Sequence, residues 1–266
     1  MTAPWLVALD IDGTLMHENG YVSDEVITQV QRVRDEGHEV MLATGRSVSM
    51  TLPVLEQFQL TPQYVVCSNG AITLGRDEDA PSGYSRVAVD AFDPTEVLAT
   101  IRESLGAASY AVEDEDGFYR YTGSFPDSTL GASSRKVTFE QLSVHQATRV
   151  VVISPEHQIE EFLSIVERMG LHKVTYNVGW TAWLDIAPDG VNKATALERV
   201  REWLDIPRSR VIAVGDGRND IDMLRWASDQ GRGVAMGQAP DEVLAVANEV
   251  TLSDLDDGIA ELFRAF

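Results

Sequence analysis

LVALDIDGT at Leu6–Thr14 decides the fold, because VGDGRND at Val214–Asp220 answers it near the other end of the chain. Each is an apolar strand that runs into carboxylates and glycine. In an open α/β sheet, ligands bind at the carboxyl ends of the strands, so two acidic strand ends far apart in sequence can meet at one site. Carboxylates gathered without compensating charge repel one another and resist ionisation. A hard cation such as Mg²⁺ removes that cost.

Helices and strands alternate outward from the first strand, Trp5–Asp10. A helix capped by Ser23 carries Val26, Ile27, Val30 and Val33 at helical spacing and stops at Gly37. A strand at Glu39–Thr44 comes next. A helix after Ser47 then carries Met50, Val54, Leu55 and Phe58 on its apolar side, with a kink expected at Pro53. A third strand, Tyr64–Ser68, leads into Asn69-Gly70-Ala71. This rhythm predicts parallel β-α units.

After Gly75 the pattern changes. A polar, turn-rich stretch precedes shorter strand signals in groups, with one helix at about Pro94–Leu105 and another from an N-cap at Ser154, with Pro155 next, to Gly170. Alternation returns at Asn192. The reading is an α/β protein: a Rossmann-like parallel-sheet core, residues 1–80 and 188–266, interrupted by an inserted α+β cap domain, residues 81–187. The crossings are expected near Gly75–Tyr84 and Ala187–Asn192.

Composition bounds the function. The 266 residues are 44% hydrophobic and contain no apolar run long enough to span a bilayer. No secretory signal opens the sequence, and the single cysteine, Cys67, excludes an internal disulfide framework. The expectation is a cytoplasmic protein. A net charge of −21 argues against nucleic acid and against anionic membrane surfaces. Any site for an anion must therefore supply its own local cations.

Asp10 and Asp12 are two apart, a spacing that sends both side chains to one side of an extended chain. One carboxylate can attack phosphorus and the other can protonate a leaving oxygen and later deprotonate water. The same residues would also serve as a plain acidic turn. Thr44-Gly45-Arg46-Ser47 offers a hydroxyl and free N–H groups at a helix start, which suits a phosphate or simply caps the helix. Lys193 opens a helix, where a cation is disfavoured. There it can neutralise a carboxylate nucleophile and a phosphoryl oxygen. Asp216 closes its strand as Asp10 does and would add a hard oxygen for Mg²⁺; Asn219 and Asp220 could orient Lys193 or metal-bound water, or merely cap the next helix.

In this order the elements DIDGTL, LATGR, NGA, GVNKATAL and GDGRNDIDML resemble the haloacid dehalogenase superfamily of phosphohydrolases, and more narrowly its Cof-type branch with a large C2-type cap. The resemblance covers the whole chain. It implies that Asp10 is the nucleophile of an aspartyl-phosphate and Asp12 the general acid/base. The Asp12 backbone carbonyl, Asp10 and Asp216 would hold Mg²⁺. Thr44 would bind the phosphoryl group with the Gly45 N–H nearby, and Lys193 would stabilise charge. Asn219 and Asp220 would support Mg²⁺ and Lys193, and Asn69 would face the cavity under the cap. Arg46 would reach substrate phosphate or pair with an acid. The implied enzyme is a Mg²⁺-dependent phosphatase, acting as a monomer or small homo-oligomer on a small phosphorylated metabolite such as a sugar phosphate or phosphorylated cofactor. A phosphomutase of the same fold and a non-catalytic metabolite-binding module are the alternatives. In the cap, Trp180, Trp183, Tyr119, Tyr121 and Arg120 are the candidates for substrate choice.

Overall fold

The computed structural model describes residues 3–17, 19–126, 130, 133–179 and 182–266. Strand β1 (Leu6–Leu9) is buried along its whole length, as a parallel strand covered on both faces must be. Val7 and Leu9 enter one core layer, and Leu6 and Ala8 enter the other. Helix α1 (Asp24–Asp35) starts where the Val26 N–H donates to Ser23 Oγ at 3.1 Å. It ends before Gly37, whose φ is +92°. Strand β2 (Glu39–Leu42) lies parallel to β1.

Helix α2 (Val48–Phe58) continues past Pro53. It buries Thr51, Val54, Leu55 and Phe58. Met50, expected on that apolar side, is instead half-buried and borders the cavity described below. Strand β3 (Tyr64–Cys67) extends the parallel layer through a single bridge, Ala43 to Val66.

The first expected crossing is corrected by the strand pairing. Strands β4 (Ile72–Arg76) and β5 (Tyr84–Val89) form an antiparallel hairpin on β3. The polar stretch between them is the hairpin's tip, so the chain leaves this layer after Val89 rather than near Gly75–Tyr84. Turn residues mark a hairpin and an interdomain crossing alike.

The chain then builds an antiparallel sheet with helices on one face. Its elements are α3 (Thr95–Ser104), β6 (Ser109–Asp114), β7 (Tyr119–Tyr121), β8 (Ser134–Lys136), β9 (Ala147–Ile153), α4 (Ile159–Met169), β10 (Val174–Val178) and β11 (Trp183–Pro188). The strand order is β10-β11-β9-β6-β7-β8, and β8 runs parallel to β7. Helix α4 begins four residues later than the Ser154-Pro155 signal implies. Ser154 Oγ is taken by His157 Nδ1 at 2.7 Å, and its carbonyl accepts the His157 N–H at 3.1 Å, which closes a separate turn. Tyr110, Val112, Val150, Val152, Leu184 and Ile186 pack the sheet against residues of both helices.

The return leg supplies α5 (Lys193–Trp203), β12 (Val211–Gly215), α6 (Ile221–Ser228), β13 (Arg232–Ala235), α7 (Asp241–Leu244), β14 (Glu249–Val250) and α8 (Gly258–Arg264). The parallel sheet has the order β14-β13-β12-β1-β2. Strands therefore progress one way from β1 and the other way from β12. These two are neighbours, with Leu9 opposite Val214. The crevice at such a reversal of strand order is where open α/β sheets bind ligands. The protein is thus an α/β fold with a parallel core and additional antiparallel sheets.

Candidate active site

Asp10 follows the last residue of β1, and Asp216 follows the last residue of β12. The Asp10 N–H donates to the Val214 carbonyl at 3.0 Å, which fixes the two strand ends side by side. Residues more than two hundred positions apart thereby share one site. Lys193, at the first turn of α5, is fully buried and reaches into it. Its Nζ donates to Asp10 Oδ1 at 2.7 Å and to Asp220 Oδ1 at 2.6 Å. Asn192 caps the same helix, accepting the Thr195 N–H at 3.0 Å. A cation at this helix end is unfavourable alone; two carboxylates reverse the sign.

The oxygens divide into engaged and available ones. Asp220 Oδ2 accepts the N–H groups of Asp216 and Gly217 at 3.0 and 2.9 Å, so both Asp220 oxygens are used inside the protein. Asp216 Oδ1 accepts from Thr14 Oγ1 at 3.1 Å. Among the described residues, Asp10 Oδ2 and Asp216 Oδ2 have no hydrogen-bond donor. Carboxylate oxygens of Asp10, Asp216 and Asp220 lie within 4.8 Å of one another. Burial, followed by the charge of Asp220, pushes the Asp10 carboxyl up to about 7. Burial, followed by the charge of Asp10, pushes Asp216 up to about 8. Burial alone would lower Lys193, but Asp10 and Asp220 override it and hold the ammonium above its usual range. One lysine does not balance three buried carboxylates. Two available hard oxygens in an acidic pocket fit a divalent cation of the Mg²⁺ type, which takes few protein carboxylates.

Asp12 departs from the simple two-apart picture. The strand ends at Leu9, the chain turns, and the Asp12 side chain is half exposed. Arg46 grips both of its oxygens, Nε to Oδ2 at 2.8 Å and Nη2 to Oδ1 at 2.5 Å. The carboxylates that converge are thus Asp10, Asp216 and Asp220, while Asp12, held by Arg46, borders the same cavity. Of the two roles weighed for Arg46, it is paired with an acid.

The turn after β2 and the turn after β3 interlock. The Asn69 N–H donates to the Thr44 carbonyl at 3.0 Å, and the Ser68 N–H to the Arg46 carbonyl at 2.9 Å. Thr44 Oγ1 accepts the Arg46 N–H at 3.1 Å. Asn219 Nδ2 donates to Asn69 Oδ1 at 3.1 Å and so joins the β12 turn to the β3 turn. Gly13 has φ +73°, and a Cβ there would lie 2.3 Å from Asp216 Oδ2. A Cβ on Gly215 would lie 2.4 Å from Asp220 Cγ. Both glycines exist because a carboxylate occupies the space a side chain would need.

A cavity of about 500 Å³ opens over these groups. Asp10, Asp12, Thr44, Gly45, Arg46, Asn69, Asp216 and Asn219 border it on the parallel-sheet side. From the antiparallel sheet come Arg149, Asn177, Val178, Trp183 and Asp185. Of the cap candidates, Trp183 borders the cavity and Trp180 lies outside the described residues. Tyr119, Tyr121 and Arg120 do not border it; Tyr119 is buried with its hydroxyl accepting from Arg149, and Arg120 pairs with Asp114 at 2.7 Å. Sequence reasoning missed Arg149 and Asp185. A charged residue interrupting an apolar run, as in ATRVVVI and WLDIAP, is the signal that would have found them.

Comparison with known proteins places this geometry. Residues 7–263 match the family model of haloacid dehalogenase-like hydrolases. The chain is 28% identical over 271 residues to the 5-amino-6-(5-phospho-D-ribitylamino)uracil phosphatase YitU of Bacillus subtilis strain 168, covering 100% of this chain and 98% of that one. It is 28% identical over 269 residues to the pyridoxal phosphate phosphatase YbhA of Escherichia coli K12, covering 96% of each. The fold superposes on the subclass IIB sugar phosphatase BT4131 with a TM-score of 0.81 at 22% identity, over 98% of both chains.

Proposed function

The chain belongs to the haloacid dehalogenase-like hydrolase family, and on that premise we propose that it is a Mg²⁺-dependent phosphatase that hydrolyses small phosphomonoesters through an aspartyl-phosphate. The observation that carries this is the Lys193 ammonium held between Asp10 and Asp220, with Asp216 alongside, at the reversal of strand order.

Asp10 supplies the attacking carboxylate oxygen, and Lys193 holds that carboxylate in place. Attack forms a bond to phosphorus as the bond to the leaving alcohol breaks. Asp12 gives that alcohol its proton and afterwards takes one from water, whose attack frees phosphate and restores Asp10. Release of one Asp12 oxygen from Arg46 makes it available for this work. Thr44 Oγ1 and the Gly45 N–H receive the phosphoryl oxygens, and Asn69 and Asn219 brace the turns that carry them. Asp10, Asp216 and the Asp12 backbone carbonyl would hold Mg²⁺, which neutralises charge on nucleophile and phosphoryl group. Phosphoryl transfer needs little from a protein beyond such positioning and neutralisation. The cap, the antiparallel sheet β6–β11 with α3 and α4, closes over the site, excludes bulk water and chooses the leaving group.

Sugar phosphates and phosphorylated cofactors are the substrate class. The ribityl-uracil phosphatase and the pyridoxal phosphate phosphatase among the relatives support hydrolysis over isomerisation. Phosphate release from a panel of monoesters, with and without Mg²⁺, is the test. Hydrolysis abolished by chelator and by Asp10→Asn supports the reading. Activity that survives either change refutes it.

A further inference from the structure

The antiparallel sheet is apolar where it meets α3 and α4, and its other face carries charge. Alternation along β9 and β11 sends Arg149 and Asp185 to the face away from those helices. There the two side chains form a bidentate pair. Arg149 Nε bonds Asp185 Oδ1, and Nη2 bonds Oδ2 at 2.5 Å. Arg149 Nη1 donates to the Tyr119 hydroxyl at 3.3 Å, which fixes the guanidinium plane. Arg149 is 8% exposed, and both residues border the cavity that also holds Asp10.

Fold stability does not explain the pair. Desolvating two ions costs several kcal/mol each, and apolar residues of similar volume would serve as well or better. Val151, Tyr121 and Phe125 on this face are apolar, while Glu113, fully buried, lies opposite Arg149 in the strand register. The pair does retain hydrogen-bonding capacity. Three of the five guanidinium N–H groups are spent, which leaves two, and the Asp185 carboxylate keeps lone pairs beyond those facing Arg149. Asn177 lies opposite Asp185 in the strand register and adds an amide donor and acceptor. Within the pair, donors and acceptors thus stand side by side.

Resting on the phosphatase reading, we propose that the Arg149–Asp185 pair determines specificity by selecting an uncharged leaving group bearing neighbouring hydroxyl or amide groups, and that Asp185 rejects leaving groups with a second anionic group. A hydroxyl pair can donate to Asp185 and accept from Arg149 without breaking the ion pair. A carboxylate or second phosphate that reaches the remaining Arg149 N–H groups must sit beside the buried Asp185 carboxylate and is repelled by it.

The test compares kcat/KM for sorbitol 6-phosphate and 6-phosphogluconate, linear six-carbon esters that differ in charge at the far end. The wild-type enzyme favours the polyol ester by about tenfold or more. Asp185→Asn frees the guanidinium and shifts the ratio toward the acid by about tenfold or more. Because that variant buries an unpaired cation, the double variant Arg149→Met/Asp185→Leu is measured beside it. It flattens the ratio by losing the polyol ester. A wild-type preference for 6-phosphogluconate, or folded variants whose ratio stays within about twofold of wild type, overturns the proposal. Turnover of an aryl phosphate with neither six-carbon ester cleaved overturns it as well, while sparing the phosphatase reading. Failure to cleave all three overturns both.

Discussion

Lys193 is fully buried with two carboxylates on it, so its charge cannot be removed without consequence. Lys193→Met leaves Asp10 and Asp220 uncompensated. Breaking a buried pair in this way costs about 3–5 kcal/mol, and the lost transition-state stabilisation lowers turnover on the order of 10² or more. Denaturant unfolding and steady-state kinetics on the same preparation measure both. A change under about threefold in turnover would reduce Lys193 to a structural ion. Asp216 should behave in the opposite way. It is a buried carboxyl pushed up to about 8, so its charge works against the metal-free fold. Asp216→Asn keeps an oxygen for Thr14 and removes the charge. The expected result is a higher Tm than wild type without metal at alkaline pH, together with loss of Mg²⁺-dependent activity. An unchanged or lower Tm would mean that the repulsion is relieved in some other way. Function here takes precedence over stability.

At the level of elements, the site depends on how closely two strand ends and their turns approach. Gly13→Ala and Gly215→Ala each drive a methyl group into a carboxylate of the cluster. Each should cost about 1–3 kcal/mol and most of the activity, whereas Gly37→Ala, with open space around its Cβ position, should lose stability without losing activity. Urea midpoints and turnover separate the two cases; equal activity losses at Gly13 and Gly37 would contradict the packing argument. These elements were legible where local chemistry dictates them. Ser23 before an apolar helical stripe, Gly37 after it, and acidic ends on apolar strands each have one economical reading. Local chemistry also misled. Ser154-Pro155 satisfies a helix start, yet a histidine three residues on captures the serine hydroxyl. The hairpin β4–β5 was hidden because its tip has the composition of a linker. The Arg46 grip on Asp12 spans 34 residues, and no spacing rule encodes which acid an arginine will find.

On the scale of the whole molecule, the chain brings its two ends together so that the strand order of one parallel sheet reverses between β1 and β12. Alternation predicts the parallel sheet of the core; the strand order comes from the pairing. The cap's contribution was not legible from alternation, because Arg149 and Asp185 meet only through strand pairing. Bringing the ends together also links the fold to pH. Asp10 and Asp216 have ordinary values of 3.8 and are raised to about 7 and about 8 in the folded protein. The folded metal-free protein therefore binds these protons more tightly than the unfolded chain. Their stabilising contribution is complete below 3.8 and is lost as pH rises through 7 and 8. Mg²⁺ must displace the same protons. The rise in Tm on adding Mg²⁺ should therefore grow from about pH 6 to about pH 8.5; an increment that does not change with pH would show that the cation binds elsewhere.

The most direct measurement traps the phosphoryl group. With an aryl phosphate, whose leaving group needs no acid, Asp12→Asn should still be phosphorylated but should fail to activate water. Acid quench followed by peptide mapping of that variant should find one phosphoryl group on Asp10. Label on any other residue, or full turnover with no label on the protein, would contradict the account.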